Sequence, residues 1–251
     1  MPRPMATEGA RGLRASLLAL LCALLAACPG APRKPLPEPA PAAPPEFPTA
    51  FYQHEAPRLG RVYRIQPEES ELVVVVRRSG KLAHLGHNHV VSSRGLSGFV
   101  LEAREPAGSR FDFFFPVAGL VVDDPTLRAA EGADFSSEPT PADIEGTRAN
   151  MLGEKLLAAA QFPWIRVAGR QRGGNATAPE LELQLQVRGV THTLPSTTRL
   201  SHDGTALRAE GELTLSHADL GLVPFSVFGG ALAVAPELLV RYRISARAER
   251  H

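Results

Sequence analysis

Between Leu181 and Val187 apolar and polar residues alternate without exception (Leu-Glu-Leu-Gln-Leu-Gln-Val), and the alternation returns over 206–215 and 238–247. A period of two sends successive side chains to opposite faces of a strand, so each stretch predicts one dry and one wet face. Earlier in the chain, 62–65, 70–78, 85–92 and 96–104 are rich in strand formers, with Val73 to Val76 consecutive and Pro67-Glu68-Glu69 as a turn. The run 110–122 carries Phe111, Phe113, Phe115 and Val117 on one parity, and Pro116 within it predicts an edge or a bulge. From 123 to 160 the alternation stops, and Ile144, Met151, Leu152 and Leu156 are spaced for one or two short helices. Strands resume at 162–167, with Arg172-Gly-Gly-Asn175 as a turn. About eight strands with short turns and one helical excursion predict an all-β, antiparallel sheet curled into a barrel or a sandwich; a barrel leaves no open edge.

The first residues follow a different logic. Arg3, Arg11 and Arg14 precede an apolar run from Leu17 to Ala27, which reads as a secretory signal too short to span a bilayer. Leu25-Ala26-Ala27-Cys28 resembles the lipobox of bacterial lipoproteins, in which the cysteine receives a diacylglyceryl group and becomes the mature N-terminus. The expected organisation is a signal peptide at 1–27, a lipidated N-terminus and Pro/Ala-rich linker at 28–60, and a folded body at 61–251. Proline and alanine dominate 29–48, a composition that favours an extended tether over a packed core.

Composition narrows the function classes. The 251 residues carry 27 basic and 26 acidic side chains; removing 1–27 takes three basic residues and one acidic, leaving 24 and 25 and a net charge of −1. No basic stripe interleaved with aromatics points to nucleic acid. Both cysteines, Cys22 and Cys28, lie near the N-terminus, so the body has neither a disulfide nor a thiolate site. Neutral charge also leaves membrane attachment to the acyl chains, and several chains on Cys28 suffice for stable anchoring.

Candidate chemistry is sparse. His87 and His89 share a parity, as two ligands of one metal should, and His84 joins them only if Gly86 permits a bulge; His192 or His217 could add a ligand from another strand. The plain alternative is a histidine-rich strand end bonded to nearby backbone. Ser216, His217 and Asp219 are too close in sequence for a catalytic triad, and no nucleophile elbow or glycine-rich phosphate loop occurs. Asp123-Asp124 and Glu68-Glu69 read as solvated faces or caps, and no enzyme activity is expected.

Several pieces, in order over 61–248, resemble the YceI-like family of periplasmic, lipocalin-like barrels that bind polyisoprenoid lipids. They are Tyr63-Arg-Ile-Gln-Pro-Glu-Glu-Ser-Glu-Leu72, Asn150-Met-Leu-Gly with Phe162-Pro-Trp-Ile-Arg-Val, Leu185-Gln-Val-Arg-Gly-Val-Thr191, and Ser216-His-Ala-Asp-Leu-Gly221. The chain departs from the family pattern at His84-Leu-Gly-His-Asn-His89 and at Leu157-Ala-Ala-Ala-Gln161. The resemblance implies a lipocalin-like barrel and non-enzymatic binding or transport of a polyisoprenoid or quinone-like lipid in its interior. The lining expected from parity is Phe111, Phe113, Phe115, Leu181, Leu183, Leu185, Leu213, Leu238, Val240 and Tyr242, with the polar head near the histidine segment and the 123–160 excursion. Small residues on the same parity (Ala209, Gly211, Gly189 and Ala246) argue that part of the interior stays open. The alternative is a metal- or haem-binding module built on His84, His87 and His89. Expected partners are the isoprenoid lipid and the membrane, with a homodimer left open. The expected location is the periplasmic side of a bacterial membrane, the outer membrane being favoured because Pro29 follows Cys28; the alternative is secretion into the periplasm.

Overall fold

The structure, a computed structural model, describes residues 43–249. The signal segment, Cys28 and most of the proline-rich stretch lie outside the described residues.

Thirteen strand segments are present among them: β1 Gly60–Ile65, β2 Glu71–Ser79, β3 His89–Ser93, β4 Ser97–Ala103, β5 Arg110–Pro116, β6 Val121–Val122, β7 Trp164–Gly174, β8 Pro179–Val187, β9 Val190–Thr197, β10 Arg199–Asp203, β11 Ala206–Ser216, β12 Ser226–Val227 and β13 Leu232–Ala248. All but the short β12 are pieces of eight longer staves. β1 and β2 follow one another along the same edge of β13, separated by a 3-10 turn that begins at Pro67. At that break the Ser70 hydroxyl accepts from the Ser245 amide (3.1 Å) and donates to the Ser245 carbonyl (3.3 Å), so a side chain replaces the interrupted ladder. β3 and β4 form the second stave, and β5 and β6 the third. β7 and β8 follow, then β9 with β10, then β11 and β13.

Every stave pairs antiparallel with its sequence neighbours, and the last pairs with the first through Tyr63↔Ala248 and Ile65↔Ala246. The circuit is therefore closed, an up-and-down barrel of eight staves. Its loosest join is at Thr198, between β9 (paired with β8) and β10 (paired with β11). There the Thr198 amide donates to Pro179 and its hydroxyl to Glu210, stitching the two neighbours together.

The turns define two ends. The upper rim carries the turns at 104–109, 175–178 and 204–205. The lower rim carries the turn at 80–88, the insertion at 123–163, the Arg188-Gly189 turn and the loop at 217–231. Arg188 and Gly189 both have positive φ (51° and 75°), the geometry of a two-residue hairpin turn.

Several boundaries differ from the sequence expectation. The strand expected at 85–92 begins only at His89, because Ala83–Leu85 forms a 3-10 turn pinned by the Leu82 amide on the Ala231 carbonyl. Pro116 marks neither an edge nor a bulge. It ends β5 opposite Trp164, between β4 and β7, where the ladder needs no further donor. The consecutive valines make sense on a stave covered on both sides: Leu72, Val74 and Val76 face the interior. Val73 and Val75 pack outward with Val90 and Phe135, under the helix α3 of the insertion, Pro125–Ala130.

The folded body also begins before Arg61. Two short helices, α1 Thr49–His54 and α2 Ala56–Leu59, strap the outer face of β1, β4 and β5. Tyr52 and Ala56 are fully buried there, beside Phe47, Phe99 and Phe114. Apolar outward positions at Val62, Phe99 and Phe114 break the wet-face rule of these strands, and the strap is what covers them.

Candidate ligand cavity

The barrel interior is hollow. An upper lobe of about 310 Å³ opens toward the turns at 104–109 and 175–178, and a lower lobe of about 330 Å³ opens between the lower loops and the insertion. Leu72, Val167, Leu185, Leu215 and Val240 line both, so the lobes adjoin across a common apolar waist. Each volume alone is in the range of a small-molecule site, and an eight-stranded barrel is wide enough for one ligand.

All ten side chains expected to line the interior do so. Phe111, Phe113, Leu181, Leu183, Leu213 and Tyr242 surround the upper lobe, Phe115 and Leu238 the lower, and Leu185 and Val240 the waist. The small residues are a different matter. A Cβ on Gly211 would lie 2.4 Å from the Tyr242 hydroxyl, and one on Gly169 would lie 2.3 Å from the Phe111 ring. Each glycine sits directly opposite its aromatic partner on the next strand. At these points the missing side chain seats a ring and does not enlarge the cavity.

The lower mouth carries the polar chemistry. His87 and His89 both line it, their ring centroids 6.2 Å apart, together with Arg77, Arg78 and His217. Thr147 and Asn150 reach it from helix α4, Pro141–Leu152, which starts at a Thr140–Asp143 capping box with Pro141 in its first turn. Behind His89 stands Asp123, 4% exposed, with a left-handed backbone (φ 56°). Its carboxylate accepts from His89 Nδ1 (2.7 Å), the Val90 amide (3.0 Å) and the Arg128 guanidinium (2.9 Å). Burial alone would raise the Asp123 pKa; the His89 and Val90 hydrogen bonds and the charges of His89 and Arg128 outweigh it and hold the carboxyl below its ordinary value. An ionised carboxylate only accepts, so His89 Nδ1 carries hydrogen and Nε2 faces Thr147 Oγ1 at 3.4 Å.

Of the adjacent acids, Asp124 is a cap, accepting from the Thr126 and Leu127 amides at the start of α3, while Asp123 is neither solvated nor a cap but the buried brace of the histidine. Asp219 is likewise a local cap, exchanging hydrogen bonds with Ser216. The three-histidine set is not assembled: His84 lies on the 83–85 turn and lines neither lobe. His217 Nδ1 is engaged with the Pro236 carbonyl, and among the described residues no three His, Cys, Asp or Glu side chains gather as a metal site.

The fold recurs in solved structures. Burkholderia cenocepacia BcnA superposes with a TM-score of 0.52 at 12% identity, over 72% of this chain and 98% of its own. A polyisoprenoid binding domain from Saccharophagus degradans, implicated in plant cell wall breakdown, gives 0.50 at 15% identity, over 74% of this chain and 98% of its own. At such identities what this barrel shares with both is the fold. A Campylobacter jejuni YceI protein matches more distantly, with a TM-score of 0.43 at 8% identity over 62% of this chain and 82% of its own. No family model and no curated protein sequence matches the chain.

Proposed function

We propose that this protein binds a long-chain apolar lipid, of the polyisoprenoid or quinone class, inside the barrel without transforming it. The observation that carries the reading is the pair of adjoining apolar lobes that fill the barrel interior, sharing the Leu72, Val167, Leu185, Leu215 and Val240 side chains and polar mainly at their mouths. Burying the tail against the leucines and phenylalanines contributes about 25 cal/mol per Å² of apolar surface, before the cost of ordering it is subtracted. The polar head sits at the lower mouth, where His87, His89, Thr147 and Asn150 offer hydrogen bonds. The Saccharophagus degradans domain with the same fold is itself a polyisoprenoid binding domain, which supports the ligand class. The lipobox-like Leu-Ala-Ala-Cys28 supports acylation and a site of action on the periplasmic side of a bacterial membrane, with the outer membrane favoured.

Native mass spectrometry of gently purified protein tests the proposal. A co-purified lipid mass is expected, and delipidated protein should take up a polyprenyl probe stoichiometrically. Bare polypeptide in repeated preparations, together with no uptake of the probe, would overturn it.

A further inference from the structure

We infer that the lower rim docks on the surface of an anionic phospholipid bilayer. Among the described residues seven large apolar side chains are exposed, and five of them (Leu85, Val190, Val223, Phe225 and Phe228) lie on the lower rim. Val223 and Phe228 are 77% and 74% exposed, values expected of side chains with nothing to pack against. The 80–88 turn meets the 217–231 loop, where the Leu82 amide bonds to Ala231 and a Cβ on Gly86 would lie 3.1 Å from the Leu232 side chain; His192, two residues after Val190 on β9, approaches the same loop, 3.7 Å from where a Cβ on Gly221 would sit. Phe225 also lines the lower lobe, so the apolar rim is continuous with the cavity wall.

The conformation of the tip points the same way. Phe228, Gly229 and Gly230 all have positive φ (53°, 63° and 89°). For phenylalanine this is an unfavourable backbone, and it is held where it turns the ring into solvent.

Charge selects the partner. The three apolar turns contain Lys81, His84, His87 and Arg188, and their single acid, Asp219, is occupied with Ser216. Across the mouth, the insertion carries Asp134, Glu138, Asp143, Glu145 and Glu154. An apolar arc bordered by Lys81 and Arg188 fits an anionic headgroup layer, and the acidic side tilts away from it. The inference rests on the lipid-carrier reading for what docking accomplishes, and not for the contact itself.

The test places an indole on each rim of the full chain, by Phe228→Trp and by Leu59→Trp, with the wild type measured in parallel to subtract Trp164. Vesicles of phosphatidylethanolamine and phosphatidylglycerol with brominated acyl chains should quench most of the emission from position 228 and leave position 59 unchanged. No quenching at 228, or equal quenching at both, overturns the proposal. A blue shift at 228 that follows protein concentration without vesicles also overturns it, by assigning the rim to a second copy. In a second measurement the Val223→Asp, Phe228→Asp double variant should take a fluorescent polyprenyl probe from the same vesicles at least about tenfold more slowly, with the amount held at equilibrium unchanged. An unchanged transfer rate overturns docking. Failure of the wild type to hold any probe overturns the carrier reading instead, while the quenching result stands on its own.

Discussion

Asp123 concentrates the energetics of the lower mouth in one side chain. It is enclosed, ionised and bonded to His89, Val90 and Arg128, so removing it leaves a guanidinium buried without its counter-ion. Asp123→Ala is expected to cost about 3–5 kcal/mol of unfolding free energy, read from denaturant melts. Because the folded-state pKa is depressed, this contribution is complete above the unfolded value of about 3.9 and is lost as pH falls through it toward the lower folded value. The acid limb of the stability curve should therefore be steeper in wild type than in the variant. Sequence parity put His87 and His89 on one strand face, whereas His87 lies before the strand and reaches the same mouth from the 80–88 turn. Parity gave no sign of Asp123 or Thr147, which lie 34 and 58 residues from His89 and meet it only through the insertion. The Thr140–Asp143 capping box was the one local signal that could have fixed the helix carrying Thr147.

At the scale of elements, the unbroken alternating strands β8, β11 and β13 were legible because one face of each is dry. The breaks at Pro67, at 94–96 and after Pro116 were less so, since a bent stave keeps its composition across the bend. The N-terminal strap was invisible for a similar reason: its short helices follow a proline-rich stretch and carry no periodic face. The strap is nevertheless strongly held. Tyr52 donates to Asp112 (2.6 Å) and stacks on Phe99, while Arg110 lies over Phe51 and bonds Asp112. Burial, reinforced by the Asp112 charge, raises the Tyr52 pKa far above its ordinary value, so the phenol stays a donor. Tyr52→Ala should destabilise the protein by about 3–5 kcal/mol. Tyr52→Phe should cost only about 1 kcal/mol, because Arg110 still satisfies Asp112. Shifts in denaturant midpoint at constant slope separate the two.

For the molecule as a whole, the waist decides whether the two lobes serve one ligand. Leu185→Trp fills it with a bulkier ring and should reduce or abolish the co-purified lipid while the far-ultraviolet circular dichroism stays that of wild type. An unchanged lipid mass would mean that the tail does not pass Leu185. If Cys28 carries the proposed acyl anchor, Cys28→Ser should move the protein from the membrane to the soluble fraction and remove the acyl mass from its N-terminus, without altering lipid content.

The closed circuit has a consequence for biogenesis. Every stave pairs with the next along the chain except the pair that shuts the barrel, where Ser70 meets Ser245 across 175 residues. Hairpins can form as soon as two staves are available, but the first edge has no partner until the last strand arrives. A chain that emerges from its N-terminus therefore displays an open β1–β2 edge, with one wall of its cavity missing, until the last strand is released. Deleting β13 would make that open state permanent and expose the strand edges that closure conceals.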